Sequence, residues 1–213
     1  MANSILHDLK NPVCLVCCCS DLIASETSDQ GVRKFATMLG GAVNGLLSTT
    51  QDLFDYTRDC IFLDKQRISI WRLLDDLNQQ SLRLLPGKNI EFVKQIRYDG
   101  DIDVDPPRFV RVLCNVIKNA CQAMPAGGIL TITTDLVQDQ VVLRISDTGT
   151  GIAPDVLPKL FEPFAVQDSS HGTGLSLAIA KAVVEAHNGK ISIASISGKR
   201  TTVEIRLPKP SAE

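Results

Sequence analysis

Asp147-Thr148-Gly149-Thr150-Gly151, followed farther on by Gly172-Thr173-Gly174-Leu175-Ser176-Leu177, decides how this chain is read. An acid beside glycine turns, then a second glycine loop opening an apolar helix, is how a backbone wraps a nucleotide. Glycine takes φ > 0 and lets main-chain N–H groups approach phosphates with no Cβ in the way. The helix expected from Leu175 to His187 would aim its positive N-terminal end at that anion. Either loop alone is a weak signal, because glycine-rich turns join strands in most folds. A third piece upstream, Asn115-Val116-Ile117-Lys118-Asn119-Ala120, adds weight. Its two amides sit four apart on one helical face, suited to holding a hydrated Mg²⁺ beside phosphate oxygens.

Around these pieces the sequence predicts alternating helices and strands. Ile70 to Leu85 is helical in period and ends at Pro86-Gly87; Ile90 to Ile96 alternates like a strand. Asp105 to Met124 reads as a helix with Pro106 and Pro107 in its first turn. Ile129 to Leu136 and Gln140 to Ser146 read as antiparallel strands about Gln138-Asp139, and Lys190 to Ile196 with Thr201 to Leu207 as a second hairpin. Helices on one face of a mixed sheet make an α+β sandwich.

The N-terminal third has a different period. Leu6, Leu9, Val13, Val16, Ser20 and Ile23 form a seam in alternating steps of three and four, with Pro12 inside it. Ser25 to Gly31 breaks this helix. A second is expected from about Val32 to Leu63, with its seam through Phe35, Leu39, Ala42, Leu46, Thr49, Leu53 and Tyr56. Two long amphipathic helices joined by a short loop cannot bury both seams alone, so a second copy completing a four-helix bundle is expected. The pattern lapses at Asp64 to Ser69, where the connector is placed.

Length and composition exclude several classes. The 213 residues carry 44% hydrophobic and 22% charged side chains and a net charge of −2, which leaves no electrostatic footprint for nucleic acid or an anionic membrane. No stretch approaches the ~20 apolar residues of a membrane span. Met1-Ala2-Asn3-Ser4 begins no signal peptide, so the expected location is cytoplasmic. Of the seven cysteines, four crowd at Cys14, Cys17, Cys18 and Cys19. The Cys14-x-x-Cys17 spacing lacks the second ligand pair of a zinc site, since Cys60, Cys114 and Cys121 are scattered; these side chains are expected to pack as small apolar groups.

Taken together, Asn115/Asn119, Asp147-x-Gly149-x-Gly151, Phe161-Glu162-Pro163-Phe164 and Gly172-x-Gly174 resemble the N, G1, F and G2 boxes of the GHKL ATPase domains of sensor histidine kinases. His7-Asp8-Leu9-Lys10-Asn11-Pro12 resembles their phosphoacceptor H box. The five boxes stand in the family's order and span residues 7 to 177. The resemblance implies an α+β protein of two domains. Residues 1–64 would form an N-terminal antiparallel helical hairpin, a four-helix bundle in the dimer, and residues 70–213 a GHKL-type α/β sandwich binding ATP.

It also implies roles. Asp147 would read the adenine amino group, Asn119 would bind Mg²⁺, and Asn115 opens the same box one turn earlier. Gly149, Gly151 and Phe161 would shape the nucleotide site, while Gly172, Thr173, Gly174 and Leu175 would meet the triphosphate through the loop backbone. A polar lid over the ATP would run from Ala165 to His171. His7 would be phosphorylated. Asp8 beside it is placed to orient the imidazole and accept its proton as it attacks the γ-phosphate. Asn11 would orient water for dephosphorylating the partner. Implied partners are a second copy of the chain, a response-regulator receiver domain and an upstream sensor domain or protein. His171 and His187 read as local hydrogen-bonders.

Three departures stand out. Ser176 replaces the third glycine of the G2 pattern, Gln122 stands where many members have a phosphate-contacting lysine, and the lid holds no Lys or Arg, with Gln167 and Asp168 in their place. The missing lid cations slightly favour a competing reading, a histidine phosphotransfer or scaffold module that uses no ATP; the intact Asn119, Asp147, Gly149, Gly151, Gly172 and Gly174 argue against it. A third reading, an ATPase of the gyrase, chaperone or mismatch-repair kind, has no H box, and Asn115 stands where those enzymes carry a water-activating glutamate.

Overall fold

The structure is a computed structural model that describes residues 2–40, 43, 62–81, 89–164 and 174–211. The chain divides into two compact units, Met1–Asp59 and Cys60–Glu213.

In the first unit α1 runs from Ala2 to Glu26 with Pro12 inside it. The break is shorter than expected. Ser25 stays helical, its hydroxyl donating to Leu22 O at 2.9 Å, and only 27–29 leave the helix. The second helix, α2 (30–40), starts early because Asp29 caps it, accepting from Gly31 N at 2.7 Å and Val32 N at 3.1 Å. The Ser20 hydroxyl donates to the Ala36 carbonyl, and a Cβ on Gly40 would stand 3.0 Å from Ser20 Oγ. Small residues therefore let the two helices touch. The seam positions Val16, Ile23, Phe35 and Leu39 are exposed in the single chain, Phe35 at 74%. Cys14, Cys18 and Cys19 are exposed too, so the expected packing of these thiols is not met within one chain. Each lies on a helix face that nothing else in the described residues covers. The later part of the second seam, Ala42 to Tyr56, lies outside the described residues.

The second unit begins with a correction. Residues 66–69, expected as connector, form strand β1 (Gln66–Ser69), antiparallel to β3 (Asp101–Val104), with Gln66 opposite Val104. Both strands are four residues long, too short to show a period, and their pairing is non-local. Helix α3 (Ile70–Ser81) buries Ile70, Leu73, Leu74 and Leu77, the i, i+3, i+4, i+7 stripe that makes a helix amphipathic. Its expected last turn, 82–85, lies outside the described residues.

The remaining elements follow the expected order: β2 (Ile90–Ile96), α4 (Pro106–Ala123), β4 (Gly128–Val137), β5 (Gln140–Asp147), α5 (Ser176–Ala186), β6 (Lys190–Ile196) and β7 (Arg200–Pro208). A 3₁₀ turn, Leu157–Lys159, precedes the F box. The five-stranded sheet has the order β2-β4-β5-β7-β6. It is mixed: β2 runs parallel to β4 and every other pair is antiparallel. Gln138 and Asp139 make the β4–β5 turn with φ of 50° and 57°, the signature of a type I′ hairpin. Alternate residues of the central strands, among them Leu130, Ile132, Leu143, Ile145, Val203 and Ile205, join α3, α4 and α5 in one core. The opposite face carries ions, Arg144 pairing at 2.6 Å with both Asp135 and Glu204.

Candidate functional site

Strand β5 ends at Asp147, which stands opposite Leu130 on one side and Thr201 on the other. Its side chain is 6% exposed, on the floor of a cavity of ≈ 350 Å³. Burial raises the carboxyl above the usual carboxylate range, opposed by backbone N–H groups of Gly149 and Thr201. A desolvated acid that still faces a cavity binds a hydrogen-bond donor strongly, because little water competes.

The loop after Asp147 is held against two neighbours. Thr150 N donates to Ala123 O at 3.0 Å, and a Cβ on Gly149 would meet that same oxygen at 2.6 Å. Gly151 has φ +65° and its Cβ would lie 2.2 Å from Ile196 O. Glycine is required at both positions by the closeness of other backbone. Ile152 N then donates to Ser195 Oγ at 2.8 Å, strapping the loop to the β6–β7 hairpin.

Helix α4 supplies the opposite wall. Asn119 and Gln122 line the cavity beside Val116 and Ala120; Asn115, one turn earlier, is half-buried and outside the lining. Ile145, Ile152, Ile193 and Val203 make the remaining walls apolar, and Gly174, Ser176 and Leu177 bring in the start of α5. Phe164, with φ +61°, donates its N–H to Gly174 O at 3.3 Å, so the F box and the start of α5 are joined by backbone. Lys181 of α5 lies 5.7 Å above the Phe161 ring. The side chain of Leu175 belongs to the core, at 1% exposure, while its backbone stands at the N-cap of α5.

Of the residues expected at the site, Asn119, Asp147 and Gly174 thus meet at one cavity, and Gly149 and Gly151 shape the loop behind it. Gly172, Thr173, His171, Gln167 and Asp168 lie outside the described residues. So do the side chains of His7, Asp8 and Asn11, whose backbone is in α1 of the first unit. Two flagged departures, Gln122 and Ser176, both line the cavity. The sequence reading missed Ile152, Ile193, Thr201 and Val203. Strand alternation puts Ile193 and Val203 on the inner face, but only the register Asp147↔Thr201 shows that this end of the hairpin reaches the site. His187 makes the local bond expected of it, Nδ1 lying 2.7 Å from Val183 O, and its Nε2 also accepts from the distant Asp105 N at 2.9 Å.

An end-of-strand acid, an amide-bearing helix and glycine loops around an apolar cavity define a nucleotide-binding α+β sandwich. Residues 104–211 match the family model described as histidine kinase-, DNA gyrase B- and HSP90-like ATPase. The chain belongs to that family. Beyond the matched domain it is similar to sensor kinases. Sensor protein SrrB of Staphylococcus aureus (strain N315) is 30% identical over 221 residues, 97% of this chain and 37% of the relative. The chain therefore spans little more than a third of that relative's length. Among solved structures, full-length ShkA in complex with AMPPNP gives a TM-score of 0.78 at 24% identity, covering 99% of this chain and 46% of the other. Histidine kinase ThkA in complex with response regulator protein TrrA gives 0.69 at 20% identity, over 99% and 61%. These two likenesses speak for the fold.

Proposed function

We propose that this chain is the catalytic core of a two-component sensor histidine kinase. It binds Mg-ATP, phosphorylates His7, and passes the phosphoryl group to an aspartate of a response-regulator receiver domain. The observation that carries this reading is the single cavity that joins buried Asp147 to Asn119 and the start of α5.

The residues present fit the nucleotide. Asp147 accepts a hydrogen bond from the adenine amine while Ile145, Ile152 and Ile193 enclose a flat ring. Asn119 and the start of α5, which line the same cavity, would meet the phosphates, whose charge the helix dipole favours. Asn119, with Asn115 one turn away, would hold Mg²⁺, which neutralises charge on the phosphate oxygens. His7 contributes the nucleophile: an imidazole nitrogen forms the N–P bond as the bond to the β,γ-bridging oxygen breaks, and ADP leaves with that electron pair. Asp8 takes the imidazole proton. Asn11 orients water when the kinase acts instead as a phosphatase on its partner.

The exposed seam of α1 and α2 supports a homodimer closed through those helices, since apolar residues such as Ile23, Phe35 and Leu39 need a covering surface. ThkA has been crystallised with a response regulator, and a receiver domain is the partner proposed here. An upstream sensor domain or protein supplies the signal, and the site of action is the cytoplasm.

Incubation with γ-labelled ATP and Mg²⁺ tests the proposal on wild type, His7→Gln and Asn119→Ala. Acid-labile, alkali-stable label on wild type that is lost in both variants is the expected result. Absence of label together with absence of nucleotide binding would sink the kinase reading in favour of a phosphotransfer module that uses no ATP. Label persisting in His7→Gln would move the phosphoacceptor elsewhere.

A further inference from the structure

The chain comes into the catalytic unit through residues 62–65, and one residue of that segment is held from far along the sequence. The backbone N–H of Asp64 donates to Oδ2 of Asp105 at 3.0 Å, across a separation of 41 positions. The other oxygen of the same carboxylate, Oδ1, accepts from Arg108 N at 3.2 Å and so caps α4. Arg108 Nε lies 3.4 Å from Oδ2. Asp105 is itself buried, at 6% exposure.

A second residue fixes Asp105 from behind. Its backbone N–H donates to His187 Nε2 at 2.9 Å. The imidazole, 1% exposed, turns Nδ1 to Val183 O and packs edge-on to Phe109, with ring centroids 5.6 Å apart. With Nε2 accepting, the proton sits on Nδ1 and the ring is neutral. One carboxylate therefore divides its oxygens between the helix that carries Asn115 and Asn119 and the segment that leads back to the phosphoacceptor unit.

We infer that Asp105 is a positioning residue for phosphoryl transfer, clasping the connector at Asp64 to the nucleotide-binding helix, with His187 holding its backbone in place. The inference rests on the autophosphorylation reading proposed above. Asp105 is not among the residues that line the cavity; it acts through the connector. The chain enters the catalytic unit two residues ahead of β1, and the bond to Asp105 fixes its course there, so the clasp orients the connector for phosphoryl transfer and leaves ATP binding alone.

Asp105→Asn isolates this role. Asparagine is as good an N-cap as aspartate, and its Oδ1 still accepts from Arg108 N. Its Nδ2 is a donor, so the Asp64 N–H loses its acceptor. Asp64→Pro removes the donor from the other side while leaving Asp105 intact. Hydrogen exchange in the full chain reads the clasp directly: in Asp105→Asn the Asp64 amide exchanges about tenfold faster, the fold-change of one lost hydrogen bond to a charged acceptor. Kinetics read its consequence, a fall of about threefold or more in the autophosphorylation rate constant as the connector loses its fixed course, with KM for ATP within about twofold of wild type. Asp64→Pro reproduces the kinetic split. Unchanged exchange at Asp64 in Asp105→Asn would overturn the inference. A parallel loss in kcat and KM in both variants would do so too, since it marks a merely structural cap. Wild type that takes no label at all defeats the kinase reading, while the exchange measurement still judges the clasp.

Discussion

Asp147 Oδ1 accepts the backbone N–H of Gly149 at 2.9 Å, so the acid at the cavity floor folds its own loop back over itself. The bond asks only for an acceptor oxygen, not for charge. Charge at this position is a cost to the empty domain, because burial raises the carboxyl's pKa.

Asp147→Asn separates these two demands. A folded pKa raised above the unfolded one gives stability that is present below the unfolded pKa and lost as pH rises through the folded one. At neutral pH wild type therefore carries the cost, and the amide removes it while keeping an oxygen for Gly149 N. The expected outcome is a higher Tm for the nucleotide-free protein, with affinity for an ATP analogue weakened about tenfold or more. Thermal denaturation and calorimetric titration measure the two effects separately.

Gly151→Ala adds a methyl 2.2 Å from Ile196 O at φ +65°. Gly198, at φ +75°, has nothing within 4 Å of its would-be Cβ. Gly198→Ala should cost about 1–2 kcal/mol, the left-handed penalty alone. Gly151→Ala should cost clearly more, about 3 kcal/mol or above, because backbone must also shift. Urea denaturation of the pair isolates the steric part.

His187 predicts an acid-sensitive stability. Burial lowers its pKa; the bond to Val183 O and nearby Asp105 oppose this, and Lys65 and Arg108 add to it. A depressed folded pKa contributes stability that is present above the unfolded value, about 6.5, and lost as pH falls through the folded one. Across that window wild type should lose up to about 1.4 kcal/mol per pH unit relative to His187→Asn. Denaturant midpoints at a series of pH values check it. Parallel curves for the two proteins would place the sensitivity elsewhere.

Phe35→Asp and Leu39→Asp test what covers the α1–α2 seam. Both side chains are at least half exposed in one chain. If a second copy buries them, each substitution should weaken self-association about tenfold or more while leaving nucleotide affinity untouched. Sedimentation over a concentration series measures it, and an unchanged dimerisation constant would show that the surface serves something else.

The legible parts of this protein were those with local signals. The stripe of α3, the prolines opening α4, the turn at Gln138-Asp139 and the glycine turn after Asp147 each announce themselves within a dozen residues, and the structure has each in place. What escaped notice depends on distant partners. Strand β1 makes sense only beside β3, and the cavity wall at Thr201 only through its register with Asp147. Asp105 read only as the first residue of a helix; its second oxygen and His187's second nitrogen gain meaning from segments 41 and 82 positions away.

The β1–β3 pairing also bears on where this unit can be cut. The family match starts at residue 104, yet the core of the unit already includes Ile68, Ile70, Leu73, Leu74 and Leu77. A cut at the start of the matched domain would remove β1, α3, β2 and all of β3 but Val104, and would bare the surface that α3 covers. A self-sufficient piece therefore has to begin ahead of β1, so the excisable cassette is longer at its leading edge than the matched domain inside it.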